Sequence, residues 1–157
     1  KNINWEKKHW VSIQNNYSKT SYFHHYADFF EYVYSKEWTY LAEICKEITN
    51  YLLQQLGINT EIKYSSEITI EGKKSELILN ICDTENADIY LSGPLGRNYL
   101  DEQSFLARKI NIKYHDYKHP VYQQRSVQFV PNLNILDLLF NHGKKSLDII
   151  VSDNNFK

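Results

Sequence analysis

The chain has 157 residues, enough to form one domain with a sizeable core of its own. Its 18 Lys and Arg residues and 19 Asp and Glu residues give a net charge of −1, so no general attraction to nucleic acid or to an anionic membrane surface is expected. No apolar run approaches the about 20 residues that a membrane span needs, and the first residues lack the hydrophobic stretch of a secretion signal. These features predict a soluble, cytoplasmic protein with no nucleic-acid partner.

The first 57 residues are predicted to be helical. Asn4 is a typical N-cap for a helix over "WEKKHWVSIQNNY", in which large apolar side chains recur every four residues. A second helix is predicted from Tyr22 to Tyr34 and a third from Trp38 to Leu56, and Gly57 provides the left-handed stop.

Residues 58–157 are predicted to form an α/β part. The alternating pattern of "INTEIKYSSEITI" indicates a strand near Thr60 to Tyr64, and "KKSELILNICDTENA" has helical spacing. A strand over "DIYLSG", a helix from Tyr99 to Arg108 and a strand over "INIKYHDY" follow. This β-α-β-α-β order favours a mainly parallel, Rossmann-like sheet with helices packed on its faces.

The last forty residues are predicted to be less regular. "KHPVYQQRSVQFVPN" contains two of the three prolines and is expected to be a long loop. A short helix over "NILDLLFN" and an edge strand over "SLDIIV" are expected to follow. We expect a single domain over residues 1–157, and the absence of any methionine, including at position 1, predicts that it is part of a larger protein.

The segment "SGPLGR" follows a predicted strand, where ligands bind in open parallel sheets. Gly93 and Gly96 allow a close approach of the backbone, Ser92 adds a hydroxyl group, and Arg97 offers a planar two-point donor. This combination favours a site for a phosphate or a carboxylate. The alternative is a plain structural turn, because the segment matches no established phosphate-binding loop.

A second group of polar residues, "YHDYKHPVYQQR", follows the next predicted strand. His115 and Asp116 could form an acid–base pair, and Lys118 or His119 could polarise a carbonyl group or bind a phosphate. In a strand, however, His115 and Asp116 point to opposite faces. The alternative is a polar surface loop.

The histidines and cysteines do not predict a metal site. His24 and His25 diverge on a helix because they are adjacent, and the chain has no Cys-x-x-Cys pair. Cys45 and Cys82 fall in apolar helical patterns and are expected to be core residues, typical of a reducing compartment. No cofactor is evident from the sequence.

Together these stretches resemble the WbqC-like family of bacterial proteins. Five blocks occur in the order and spacing of that family: "WEKKHWVSIQNNYSKTSYF", "LGINTEIKYSSEI", "YLSGPLGRNYLDEQSF", "YHDYKHPVYQQ" and "FVPNLNILDLLFNHG". Members usually also carry an earlier His-Gln-Pro-x-Tyr-x-Pro-Trp block and an Asn-Arg-Asn stretch, both absent here. The chain therefore resembles the C-terminal two-thirds of such a protein.

The resemblance implies a role in the biosynthesis of O-antigen and other surface polysaccharides, with transfer of a glycyl or other acyl group to an amino sugar or nucleotide sugar. The acid–base chemistry of the residues, and not the resemblance, makes His119, His115 and Asp116 the candidate catalytic residues. The positions expected to line the substrate site are Ser92, Gly93, Gly96, Arg97, Tyr99, Asp101, Lys118 and Tyr122.

Two other functions remain open at this point. One is a non-catalytic protein that binds a sugar nucleotide or organises the pathway, with the 13 tyrosines contributing an interaction surface. The other is a nucleotidyltransferase-like enzyme. A second copy of the chain or another enzyme of the pathway is expected as the protein partner.

Overall fold

The computed structural model describes residues 4–154, which contain seven α-helices, three short 3₁₀ helices and two β-strands. The 3₁₀ helices are Ser65–Glu67, Pro94–Asn98 and Gly143–Lys145. The other elements are α1 (Trp5–Tyr17), α2 (Phe23–Ser35), α3 (Leu41–Leu56), α4 (Ser75–Thr84), β1 (Ile89–Ser92), α5 (Glu102–Ala107), β2 (Asn111–Tyr114), α6 (Ile135–His142) and α7 (Ser146–Ser152).

The described residues divide into two compact units. The first unit consists of residues 4–60 and 118–154, and the second unit is Glu61–Tyr117. The boundary expected from the sequence at residue 58 lies close to the first of these divisions. Residues 118–154, however, group with the helical residues at the start of the chain.

The three predicted N-terminal helices are confirmed. The Asn4 side chain accepts a hydrogen bond from the backbone N–H of Lys7 and so caps α1. Gly57 ends α3 with a φ of +71°, the left-handed conformation that glycine adopts without a steric penalty.

The first unit has an aromatic core. Phe23, Tyr26 and Phe30 are buried along one face of α2, at the spacing of three and four residues that a helix requires. Leu139 and Phe140 of α6 complete this core, and the Phe140 ring lies 5.4 Å from that of Phe23.

The second unit contains a two-stranded parallel sheet, in which β1 pairs with β2 from Ile89 opposite Asn111 to Ser92 opposite Tyr114. Its core consists of Leu79, Cys82, Phe105 and Ile110, contributed by α4, by α5 and by the residue before β2. The predicted β-α-β succession over these residues is confirmed.

Two predicted strands are wrong. Residues 60–64 pair with no other strand within the described chain and are mostly exposed, so their alternating pattern has no sheet to join. "SLDIIV" forms α7 instead of an edge strand, because a short apolar run fits either period. The buried Ser146 hydroxyl donates to the Gly143 carbonyl at the start of α7 and favours the helix.

The described residues therefore show a mixed helix and strand fold that is mostly helical. None of the helices within residues 4–154 combines the length and the apolar character needed to cross a membrane.

Candidate functional site

The parallel pairing of β1 and β2 brings their carboxyl ends to one edge of the sheet. Ser92 and Tyr114 form the last pair, and the His115 N–H donates to the Ser92 carbonyl at 2.8 Å. The segments 93–98 and 115–117 therefore leave the sheet at the same edge, the usual place for a ligand in a parallel sheet.

The two glycines after β1 differ in what they do. A Cβ atom on Gly96 would lie 2.1 Å from Ser92 Oγ and 2.9 Å from Leu100 Cδ1, so this position requires glycine for close packing. Gly93 has φ −68° and ψ 167°, which any residue adopts, and a Cβ there would meet nothing within 4 Å. Ser92 is buried, and its hydroxyl donates to the Gly93 carbonyl at 3.0 Å.

The guanidinium group of Arg97 binds the Asp116 carboxylate through two hydrogen bonds, at 2.9 and 3.0 Å. It also lies 4.4 Å from the centre of the Tyr114 ring, a cation–π distance. The Tyr114 hydroxyl donates to the Glu102 carboxylate at 2.6 Å. Glu102, Tyr114, Arg97 and Asp116 thus form one connected surface group, which we call the Arg97 cluster.

The hydrogen bonds of the Arg97 cluster shift the pKa values of Asp116 and Tyr114. The hydrogen bond from Arg97 holds the pKa of Asp116 below its usual value, and the hydrogen bond to Glu102 raises the pKa of Tyr114. Asp116 is therefore a carboxylate at neutral pH whose hydrogen-bonded partner is Arg97. The interaction of Asp116 with His115 also lowers the pKa of Asp116, after the larger effect of Arg97. The His115 ring lies 5.9 Å from the Tyr117 ring.

Asp101 has a local structural role. Its carboxylate accepts hydrogen bonds from the Ser104 N–H and hydroxyl groups and so caps α5, and these bonds lower its pKa. Its own N–H donates to the Ser75 hydroxyl at 2.8 Å. Tyr99 is half-exposed between the 3₁₀ helix and α5.

The remaining predicted site residues belong to the first unit. Asn154 holds the backbone of Lys118 at both its N–H and its carbonyl, at 2.9 and 3.0 Å. His119 Nδ1 lies 2.9 Å from the Pro120 carbonyl, and its ring is 5.9 Å from that of Tyr122. The structure thus brings Arg97 and Asp116 together in one unit and His119 and Tyr122 together in the other.

A buried carboxylate in the first unit was missed by the sequence analysis. Asp137 of α6 is buried, and it accepts a hydrogen bond from the Tyr122 hydroxyl at 2.9 Å. Burial, followed by the effect of Asp137, raises the pKa of Tyr17 to about 12. Burial also raises the pKa of Tyr122 to about 12. The signal that could have revealed this group is the single aspartate inside the apolar stretch "NILDLLFN".

Two open clefts of the first unit adjoin this region. The first, of about 330 Å³, is lined by residues 19–22, 123–125, 141, 142 and 145. The second, of about 480 Å³, includes Asp137, Tyr17 and Arg125 in its lining. Gln124 shapes both, because its side-chain amide bonds the N–H and the carbonyl of Val130 at 2.8 Å each.

The two cysteines have different surroundings. Cys82 is buried in the core of the second unit, and burial raises its pKa. The expectation that Cys45 is also a core residue is wrong, since it lies on the exposed side of α3. Within residues 4–154, no group of three His, Cys, Asp or Glu side chains is arranged to hold a metal ion.

Comparison with known proteins gives one family and one relative. The model of the WbqC-like protein family matches residues 1–149. The chain is also 34% identical, over 148 residues, to the uncharacterized protein Rv1507c of Mycobacterium tuberculosis. The alignment covers 93% of this chain and 64% of that relative, so the chain spans less than two-thirds of the relative's length. No solved structure matches the chain.

Proposed function

The chain belongs to the WbqC-like protein family, and from this premise we propose that it acts in the biosynthesis of a bacterial surface polysaccharide such as O-antigen. In this proposal it transfers a glycyl or other acyl group to the amine of an amino sugar or nucleotide sugar. The proposal rests on the family resemblance for the pathway and on the Arg97 cluster for the site.

The main support for a site here is that Arg97 binds a carboxylate through two hydrogen bonds, at the edge of the sheet where β1 and β2 end. The guanidinium group is accessible, with 46% of the Arg97 side chain exposed, and its present partner is an anion. A phosphate or carboxylate of the substrate would accept the same pair of N–H donors in place of Asp116. Because an exposed ion pair contributes little to stability, this exchange costs little.

The reaction that fits these residues is amide formation. The amine nitrogen of the sugar forms a bond to the acyl carbon of an activated ester or thioester, the alkoxide or thiolate leaves, and a base accepts the proton lost by nitrogen. His115, the first residue after β2 and next to Asp116, is the proposed base. His119, beside Tyr122 in the first unit, is the alternative base.

A non-catalytic role is the second candidate, and the exposed apolar residues of the second unit favour it. Ile89 and Leu91 of β1 are half-exposed, and Leu95 is 73% exposed. Apolar side chains of this kind are typical of a surface that contacts another protein. In this reading the Arg97 cluster binds a sugar nucleotide and presents it to a partner enzyme.

The remaining expectations are part of the same proposal. We place the protein in the cytoplasm, with a nucleotide sugar or amino sugar as ligand and a second copy or a pathway enzyme as partner. The β1–β2 pair would be the centre of a larger Rossmann-like sheet, and the two units would work as a single domain.

Product detection separates the enzyme from the binding protein. The purified protein is incubated with a UDP-linked amino sugar and an activated acyl donor, and the sugar is examined by mass spectrometry. The enzyme gives a sugar whose mass increases by the acyl group, and Arg97→Ala reduces that product. Binding of the sugar nucleotide without any product supports the non-catalytic role.

A further inference from the structure

We propose that the cleft lined by residues 19–22, 123–125, 141, 142 and 145 of the first unit is a binding site for a phosphate or diphosphate group. We call it the basic cleft. It shares no residue with the Arg97 cluster, so the proposal goes beyond the proposed function and does not depend on it.

The charge of the lining is the first observation. Lys19, Arg125 and Lys145 each carry a positive charge, and the imidazole of His142 adds a further polar group. All ten lining residues lie within the described chain, and none of them is Asp or Glu. The whole chain has a net charge of −1, so this local excess of positive charge is not a consequence of composition. Cations gathered on one concave surface repel each other, and a bound anion removes that repulsion.

The origin of these cations is the second observation. Lys19 comes from the turn between α1 and α2, Arg125 from the long loop before α6, and Lys145 from the 3₁₀ helix after α6. Three separate segments therefore place cationic residues around one volume, the arrangement that a site for a tetrahedral anion requires. Ser21 and Tyr22, whose side chains carry hydroxyl groups, also line it.

Hydrogen bonds hold the walls of the basic cleft in place, and they leave some of the N–H donors of its lining residues available to a ligand. The Tyr22 N–H donates to the Phe140 carbonyl at 3.0 Å, which ties the turn between α1 and α2 to α6. Arg125 Nη1 donates to the Asn16 carbonyl at 2.9 Å, which leaves its Nη2 group available to a ligand. His142 Nε2 lies 2.7 Å from the Gln123 carbonyl, which fixes the imidazole ring against the loop. A site that is fixed in this way loses little conformational entropy when it binds.

The size and polarity of the basic cleft select the class of ligand. A volume of about 330 Å³ is at the lower end for small-molecule sites, which favours a compact group. Its lining is mainly polar, unlike the apolar pockets that hold drug-like ligands. An inorganic phosphate, a diphosphate and the diphosphate of a nucleotide share the chemistry that these donors recognise. A carboxylate, with fewer acceptor positions, engages fewer of them.

Isothermal titration calorimetry with pyrophosphate, inorganic phosphate and UDP tests the proposal. We expect the protein to bind pyrophosphate, and we expect the double variant Lys19→Ala/Lys145→Ala to bind it at least about tenfold more weakly, since hydrogen bonds to charged groups contribute about 1.5–3 kcal/mol each. Arg125→Lys keeps the charge but loses the planar donor and is expected to weaken binding as well. UDP binding as tight as that of pyrophosphate identifies a nucleotide diphosphate, and tighter binding of phosphate alone identifies a single phosphate group.

Lys144→Ala is the matched control, because Lys144 is an exposed lysine of the same 3₁₀ helix that does not line the basic cleft. It removes the same charge and is expected to leave pyrophosphate affinity unchanged. The proposal is wrong if the protein does not bind any of the three anions, or if Lys144→Ala weakens binding as much as the double variant. It is also wrong if Arg97→Ala abolishes pyrophosphate binding while the double variant retains it. That result would assign the anion to the Arg97 cluster.

Discussion

Arg97 and Asp116 bind each other through two parallel hydrogen bonds, from Nη1 to Oδ1 at 2.9 Å and from Nη2 to Oδ2 at 3.0 Å. Arg97 follows β1 and Asp116 follows β2, so the pair joins the two connections that leave the same edge of the sheet. The geometry is that of a guanidinium group that recognises a planar or tetrahedral anion.

The first prediction concerns this pair. Arg97→Ala is expected to weaken binding of a UDP-linked amino sugar by about tenfold or more, because a charged two-point donor is lost. Asp116→Ala is expected to strengthen it, because a competing carboxylate is removed. Calorimetry measures both changes. Unchanged affinity in Arg97→Ala contradicts the proposed site.

Arg108→Ala provides the control for that experiment. Arg108 forms an exposed ion pair with Asp83 in the same unit, and the exposed fractions of Arg97 and Arg108 are nearly equal, at 46% and 44%. Its loss is expected to leave ligand affinity unchanged. Each of the two Arg→Ala variants is expected to leave the free energy of unfolding nearly unchanged, because exposed ion pairs contribute little.

The second prediction separates the two glycines of the turn. Gly96→Ala is expected to lower the free energy of unfolding by about 1–3 kcal/mol, because the new Cβ would collide with Ser92 Oγ and force the buried serine to move. Gly93→Ala is expected to be neutral, since its dihedral angles suit any residue and its Cβ has open space. Urea unfolding measures both values, and equal destabilisation would show that Gly96 is not a packing position.

The sequence predicts the elements whose periodicity is long or whose ends carry clear signals. The N-cap at Asn4 and the left-handed stop at Gly57 define the first and third helices, and both are found in the structure. The two wrong strands are short segments. Alternation over residues 60–64 needs a neighbouring strand, and a sequence pattern alone does not show that the neighbour is absent.

Only part of the candidate site could be expected from the sequence. The carboxyl ends of β1 and β2 follow from the β-α-β order, so the proximity of Arg97 and Asp116 is accessible to sequence reasoning. The division between the two units after Tyr117 cannot be predicted from the sequence, because no change of composition marks it within "YHDYKHPVYQQR". Asp137 was missed because a helix is predicted from the spacing of apolar residues. The effect of Asp137 is on the pKa of Tyr17, which lies 120 residues earlier in the chain.

The third prediction concerns the buried tyrosines. The pKa values of Tyr17 and Tyr122 rise from 10.0 to about 12 in the folded protein, so folding favours their neutral forms. Their contribution to stability is complete below pH 10 and is lost as the pH rises towards 12. Unfolding experiments along a pH series, with tyrosinate absorbance as a second readout, measure this loss.

Tyr122→Phe tests the origin of that effect. It removes the hydroxyl group that donates to Asp137 and is expected to lower the free energy of unfolding by about 1–3 kcal/mol at neutral pH. In the absorbance titration, the variant should also show one tyrosine fewer with a raised pKa. Tyr32→Phe changes a half-exposed tyrosine of α2 and is the control, with little expected change. Equal behaviour of the two variants contradicts the role of the buried hydrogen bond.

The fourth prediction uses the two thiols as probes of packing. Cys45 is exposed on α3, and Cys82 is buried with a raised pKa, so a thiol reagent is expected to label one cysteine in the native protein and both in denaturant. Cys45→Ser is expected to remove the fast reaction and leave stability almost unchanged. Fast labelling of Cys82 under native conditions would show that the core of the second unit opens readily.

The fifth prediction isolates a contact that shapes the basic cleft. Gly143 has a φ of +57°, and a Cβ there would lie 2.6 Å from the Tyr22 ring. Gly143→Ala therefore combines backbone strain of about 1 kcal/mol with a collision that costs about 1–3 kcal/mol more. Gly57→Ala has φ +71° and ψ 23°, in the left-handed helical region, and no atom lies within 4 Å of the new Cβ, so it serves as a control without a collision.

The difference in unfolding free energy between these two variants combines the contact of Gly143 with Tyr22 and the larger backbone strain at Gly143, whose ψ is −132°. Because Tyr22 lines the basic cleft, Gly143→Ala is also expected to weaken pyrophosphate binding at least about threefold, the free-energy equivalent of about 0.7 kcal/mol. Gly57→Ala should bind like the original protein, since Gly57 lies at the end of α3 and outside the lining of the basic cleft. If both variants lose stability equally, the Tyr22 ring moves aside without cost and does not shape the cleft.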